Sequence, residues 1–212
     1  MTDLIRGEHL IKICGVTTQS DARAVVTLGA SAVGLILSES RRRVTVETAG
    51  DIVREVRRDV ACVAVVRNES DAYILDCVDT TDVDAVQVHG TLSEELRRGL
   101  RERGVALIKA LGTDSDELVA FNDELVDAVL VDGPTPGSGA AHPWSQLTSR
   151  VFHVPLIAAG GLTPDNVADV IAQVKPWGVD VATGVETSPG IKDLNRVKDF
   201  IRAASLAFEA GE

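Results

Sequence analysis

Eight short apolar runs, each followed by a segment whose apolar residues recur three or four apart, limit this chain to very few folds. The runs are residues 10–13, 32–37, 61–66, 85–88, 106–109, 128–131, 155–158 and 179–182. The amphipathic segments are 21–28, 48–57, 72–79, 93–103, 116–122, 165–173 and 193–208, and only the sixth unit is weakly marked, with room for one helical turn at 144–147. Strict alternation of nearly continuous apolar strands with helices predicts an α/β fold with a parallel sheet buried under helices. Eight units in 212 residues is about 26 residues each, which suits a closed (β/α)8 barrel of the TIM type. An open doubly wound sheet would want a glycine-rich phosphate turn after the first strand, and Cys14-Gly15-Val16-Thr17 is not one. No linker of biased composition divides the chain, so residues 1–212 are expected to form a single barrel domain.

Hydrophobic residues make up 45% of the chain but aromatics only 3%, so the core must be built from Val, Leu, Ile and Ala. A formal net charge of −11 argues against nucleic acid or an anionic membrane as partner, and an anionic ligand would need a locally positive or amide-lined site. The three cysteines, Cys14, Cys62 and Cys77, have neither zinc-site nor disulfide spacing. No stretch reads as a leader or a membrane span, which makes the cytoplasm the expected location. Nothing marks an extended apolar helix face, so the chain is expected to be a monomer or a homodimer.

Polar and glycine signals cluster after many different strands, as they do when a catalytic face is assembled from all the strand-to-helix loops. Cys14 ends the first strand, beside a lysine in sequence and ahead of a helix start, conditions that favour thiolate; a small apolar filler is the alternative. Ser40-Arg41-Arg42-Arg43 follows the second strand and can clamp a carboxylate or phosphate, or be a solvated surface run. Gln87 and His89 sit at the fourth strand's end, where the histidine could be acid or base, or could support loop backbone. Asp132 ends the sixth strand, where desolvation would raise its pKa and let it deliver a proton; a helix-capping role is the alternative. A glycine-rich loop follows it. Gly160 and Gly161 after the seventh strand, and Gly184 after the eighth, stand where such barrels cradle phosphate.

Taken together, Lys12-Ile13-Cys14-Gly15 with Asp21-Ala22, Gln87-Val88-His89-Gly90, Asp132 followed by Gly137-Ser138-Gly139, Ala159-Gly160-Gly161-Leu162, residues 178–186 and Pro189-Gly190-Ile191-Lys192-Asp193 resemble the phosphoribosylanthranilate isomerase family of tryptophan biosynthesis. The resemblance runs from about residue 10 to 201 with the motifs in family order. It implies an Amadori rearrangement of a small-molecule phosphoribosyl substrate, with no metal or organic cofactor. It implies Cys14 as general base, Asp132 as general acid, Arg42 beside the anthranilate ring and its carboxylate, and Asp180 as a polar site residue. Backbone amides around Gly139, Gly161 and Gly184 would hold the phosphate. The chain departs from the family pattern at Leu35-Ile36-Leu37, where an aromatic is usual, at His142-Pro143 before Trp144, and at Ser138. A related barrel enzyme using Lys12 or Lys109, or a silent phosphoribosyl-ligand binder, would be the alternatives.

Overall fold

The computed structural model describes residues 9–113, 118, 120–133, 147 and 151–211. Eight strands, β1 (Leu10–Cys14), β2 (Ala32–Ile36), β3 (Ala61–Arg67), β4 (Ala85–His89), β5 (Ala106–Gly112), β6 (Ala128–Asp132), β7 (Leu156–Ala159) and β8 (Gly178–Val181), pair in sequence order. All the pairings are parallel, and β8 returns to β1 to close the barrel. Among the described residues the helices are α1 (Gln19–Thr27), α2 (Val46–Val56), α3 (Asp71–Thr81), α4 (Glu94–Glu102), α5 (Val167–Val174) and α6 (Leu194–Gly211). Of the predicted segment 116–122, residues 116, 117 and 119 lie outside the described residues while Leu118 and Ala120 are helical, and of the turn at 144–147 only Leu147 is described.

Local chemistry starts the helices where the sequence changes period. The hydroxyls of Thr18, Thr45, Ser70 and Ser93 accept from the backbone N–H of Asp21, Thr48, Tyr73 and Leu96, satisfying donors that the first helical turn leaves open. Asp193 does the same for α6 through the N–H groups of Asn195 and Arg196.

Side chains alternate across each strand, so each run feeds two cores. Ile11, Ile13, Val33, Leu35, Cys62, Val86 and Val129 face the helices, while Leu10, Cys14, Ala32, Val63, Ala85, Ile108, Leu130 and Ile157 fill the barrel. Alanines at 32, 85, 106 and 128 let the strands' first ends converge, and larger aliphatics fill the middle. The inward positions nearest the C-terminal ends carry the polar groups: Lys12 and Cys14 on β1, Arg67 on β3, Gln87 and His89 on β4, Asp132 on β6 and Asp180 on β8.

Several strands outrun their apolar stretches, because the hydrogen-bond ladder continues to the barrel mouth where side chains need not be apolar. Arg67 pairs in register with His89, and Asp132 with Gly112 and Ala159. A two-stranded antiparallel hairpin not foreseen from the sequence, β9 (Glu186–Ser188) and β10 (Ile191–Lys192), follows β8. No helix among the described residues is long and apolar enough to cross a membrane.

Candidate active site

A cavity of 590 Å³ opens at the C-terminal ends of the strands, lined by Cys14, Arg42, Arg67, Gln87, His89, Asp132, Asp180, Gly160, Gly161 and Gly184 among others. Every site residue expected from the sequence therefore meets at one mouth, except Gly139, which lies outside the described residues.

Cys14 projects into the barrel over Gly34, its partner in register on β2. A Cβ at position 34 would stand 2.8 Å from Cys14 Sγ and 3.1 Å from Lys12 Cε, so the bare glycine makes the thiol's seat. Burial pushes the Cys14 thiol above its ordinary value; Lys12 and Lys192 pull it down, but not enough. That corrects the expectation of a ready thiolate. The lysine adjacent in sequence does act on the sulfur, yet loss of solvent outweighs it, and four residues intervene before α1 begins.

Lys12, with no exposed surface, donates from Nζ to Asp180 Oδ1 at 2.9 Å across the β1–β8 seam. Burial pulls the ammonium down, but Asp180 and Cys14 more than offset this and hold it above its usual value. Lys109, the other strand lysine, is equally buried but shares the helix-facing side of β5 with Leu107 and Leu111. Its Nζ sits 5.9 Å from the Phe121 ring centre.

Asp132 behaves as its position suggested. Burial, with Asp180 adding to it, raises its carboxyl to about 6 against the pull of Arg67 and Lys12. Gly160, at φ +89°, is what allows the carboxyl to lie there, since a Cβ would fall 2.1 Å from Gly133 N and 2.4 Å from Asp132 Oδ1. His89 is pushed down to about 4, first by burial and then by Arg67, Lys12 and Lys109, so it is neutral at physiological pH. Gln87 Nε2 and His89 Nε2 are 2.9 Å apart, the amide donating to the ring. The pair thus braces itself, where loop backbone was the expected partner.

Of the three arginines after β2, only Arg42 lines the cavity. Ser40 Oγ accepts from its backbone N–H at 3.1 Å and fixes the turn. One edge of its guanidinium is engaged from within the protein: Nε donates to both Glu186 oxygens at 2.9 and 3.0 Å, and Nη2 to Oε2 at 2.7 Å and Thr183 Oγ1 at 3.1 Å. Glu186 also accepts from Lys192 Nζ at 2.8 Å, and the same ammonium donates to the Cys14 carbonyl at 2.6 Å.

A family model described as N-(5'-phosphoribosyl)anthranilate (PRA) isomerase matches residues 11–203. The chain belongs to the N-(5'-phosphoribosyl)anthranilate isomerase family. It is accordingly an isomerase of tryptophan biosynthesis. The isomerase from Desulforudis audaxviator is 38% identical, the match covering 93% of this chain and 98% of that one. The phosphoribosylanthranilate isomerase crystal structure from Thermotoga maritima matches with a TM-score of 0.85 at 37% identity, over 93% of this chain and 98% of that one. A further family structure, solved with reduced 1-(o-carboxyphenylamino)-1-deoxyribulose 5-phosphate, matches with a TM-score of 0.81 at 35% identity and the same coverage.

Three participants escaped sequence reasoning: Glu186, Lys192 and Arg67. Glu186 and Lys192 lie in the last isomerase motif, and their opposite charges flanking Pro189-Gly190 could have signalled a hairpin that pairs them. Arg67 offered a weaker signal, a cation where the third apolar run stops.

Proposed function

We propose that this chain converts N-(5-phosphoribosyl)anthranilate to 1-(2-carboxyphenylamino)-1-deoxyribulose 5-phosphate with Asp132 as general acid and Cys14 as general base. The reading rests above all on one observation: Cys14 on β1 and Asp132 on β6 line the same cavity, on the strands that directly flank β7 and β8 with their glycines. Backbone amides at Gly160, Gly161 and Gly184 would grip the phosphate, so the substrate's sugar would lie between the thiol and the carboxyl group.

Asp132, its pKa near neutrality, gives its proton to the furanose ring oxygen; the C1–O bond breaks and nitrogen's lone pair forms the iminium. The iminium acidifies the C2 hydrogen, and Cys14 takes that proton from the opposite face. Electrons from the C2–H bond form the C1–C2 double bond and neutralise the nitrogen. The enolamine then gains a proton at C1 and loses one from the C2 hydroxyl to give the ketone. The Cys14 thiol is held protonated by burial, but the cationic iminium beside it, with Lys12 and Lys192, favours the thiolate once substrate is bound. Acid, base and the substrate's own nitrogen complete the scheme without a metal or organic cofactor.

All proposed groups come from one chain, whose 1–212 we read as a single domain, so the site suits a monomer or a homodimer equally. A cytoplasmic location fits a biosynthetic enzyme of this kind. The test is turnover of authentic substrate, followed as loss of anthranilate fluorescence. Cys14→Ser and Asp132→Asn should each lower kcat by about 100- to 10,000-fold; near wild-type rates in both would overturn the mechanism.

A further inference from the structure

We propose that the buried Lys12–Asp180 ion pair is a positioning element of the reaction: a fixed dipole whose cation stands at Cys14 and whose anion stands towards Asp132, biasing the shared proton towards the carboxyl group and away from the thiol. The inference deepens the acid–base reading above and rests on it. That reading needs a protonated carboxyl and an ionised thiol in one cavity, the reverse of what the two groups adopt in water.

Strand register puts the dipole in place. Asp132 on β6 pairs with Ala159 on β7, Ala159 with Asp180 on β8, and Asp180 with Lys12 on β1, so the four form one inward row along the barrel wall. Ala159 belongs to the barrel interior, and its methyl group is the one small side chain between the two carboxyl groups. At the other end of the row, Cys14 stands two residues beyond Lys12 on the same face of β1. The hollow over Gly34 takes both Cys14 Sγ and Lys12 Cε, and Lys12 Nζ is held between the sulfur and Asp180 Oδ1 at 2.9 Å. The order along the wall is acid, anion, cation, base.

The two charges act unequally on the two ends. On Cys14 the pull of Lys12 exceeds the push of Asp180, and on Asp132 the push of Asp180 exceeds the pull of Lys12. The other charges acting on the two groups are cations, Lys192 and Arg42 at Cys14 and Arg67 at Asp132, while His89 is neutral. Cations favour ionisation of thiol and carboxyl alike, so they cannot tell base from acid. The Lys12–Asp180 pair can, because it presents opposite signs to the two.

The experiment is the pH profile of kcat/KM for the double variant Lys12→Met, Asp180→Asn, which removes both charges and leaves neither unpaired in the interior. When the proton must sit on the more acidic of two groups, the productive fraction falls tenfold for each unit by which their pKa values separate, and the bell widens by that unit. The acid limb should therefore move down and the alkaline limb up. The bell should widen by about one to two pH units while its plateau falls by about 10- to 100-fold. Alkylation of Cys14 by iodoacetamide, read by mass spectrometry of its peptide, should show the same upward shift of the thiol without substrate. Asp180→Asn alone keeps an oxygen for Lys12 Nζ and covers the case of a double variant that does not fold; it should move both limbs to lower pH, the acid limb further. A bell of unchanged width, whether or not its plateau falls, would make the pair a structural tie only, and a narrower bell would reverse the dipole. Either result, or an unshifted thiol, overturns the inference while the isomerase reading stands. Wild-type protein that turns over no substrate would bring down that reading and the inference with it.

Discussion

Asp132→Asn should make the folded protein more stable at neutral pH while removing the acid the reaction needs. The folded state holds this carboxyl at about 6 from an ordinary value of 3.8, because burial disfavours its charge. At about 1.36 kcal/mol per pKa unit, ionising it in place costs about 3 kcal/mol. The sign follows from proton binding. Between the two values the native state holds more proton than the unfolded chain, so the stability this group contributes at low pH is lost as pH rises towards about 6. Asparagine never carries the charge. The advantage of Asp132→Asn over wild type should be about 1 kcal/mol near pH 4.5 and about 3 kcal/mol near pH 8, a growth of about 2 kcal/mol. Replacing hydroxyl by amide adds an offset that does not depend on pH, so the slope is the observable. Urea unfolding of both proteins at the two pH values measures it. A difference that stays flat, or one that grows towards acid, would refute the claim that Asp132 is a desolvated carboxyl group.

Two further outcomes are expected. The pH profile of kcat/KM should be bell-shaped, its acid limb near 6 from Asp132 and its alkaline limb above the ordinary cysteine range from Cys14. The productive form carries a single proton shared between the two groups, so it is lost on either side; Asp132→Asn should abolish the limb near 6 in whatever rate remains, as stopped-flow fluorescence would record. Gly160→Ala forces a side chain into left-handed backbone against Gly133 N and the Asp132 carboxyl, and should cost about 1–3 kcal/mol in unfolding experiments. Its kcat should fall by at least about 100-fold through displacement of the carboxyl, and binding of the reduced product should weaken as well, because the Gly160 amide is one of those proposed to grip the phosphate.

The barrel was legible because two periods superimpose in the sequence. Ile11 and Ile13 serve the helix-facing core while Leu10 and Cys14 serve the barrel interior, so β1 reads as continuously apolar, the mark of a strand buried on both faces. Asp132 was legible for a related reason: a carboxyl at the end of an apolar strand has few places to be except a cavity mouth. Cys14 was legible in position but not in charge state, because its pKa balances burial against Lys192, a cation 178 residues away in sequence, as well as against the neighbour that the sequence displays. Arg42 was visible as a cation with a use for its fork. That Glu186 engages one edge of it depends on the β9–β10 hairpin, only five residues of strand built on a tight turn at Gly190. So short a pairing leaves almost no periodic signal.

The charge pairings that went unread also tie the ends of the barrel together. Lys12 reaches Asp180 across 168 residues of chain, Arg42 reaches Glu186 across 144, and Lys192 reaches the carbonyl of the proposed base across 178. Each contact joins one of the first two strand units to the last, at the seam where β8 must find β1. Closing loops of this length costs conformational entropy that local contacts cannot offset, so these pairs form only when the whole sheet has curled shut. An open chain therefore lacks both the Lys192 charge beside Cys14 and the Asp180 charge that helps raise Asp132. Ring closure and assembly of the proposed acid–base pair are in this molecule one event, and the buried charges that join them are placed where a helix-covered strand core alone would leave the seam unmarked.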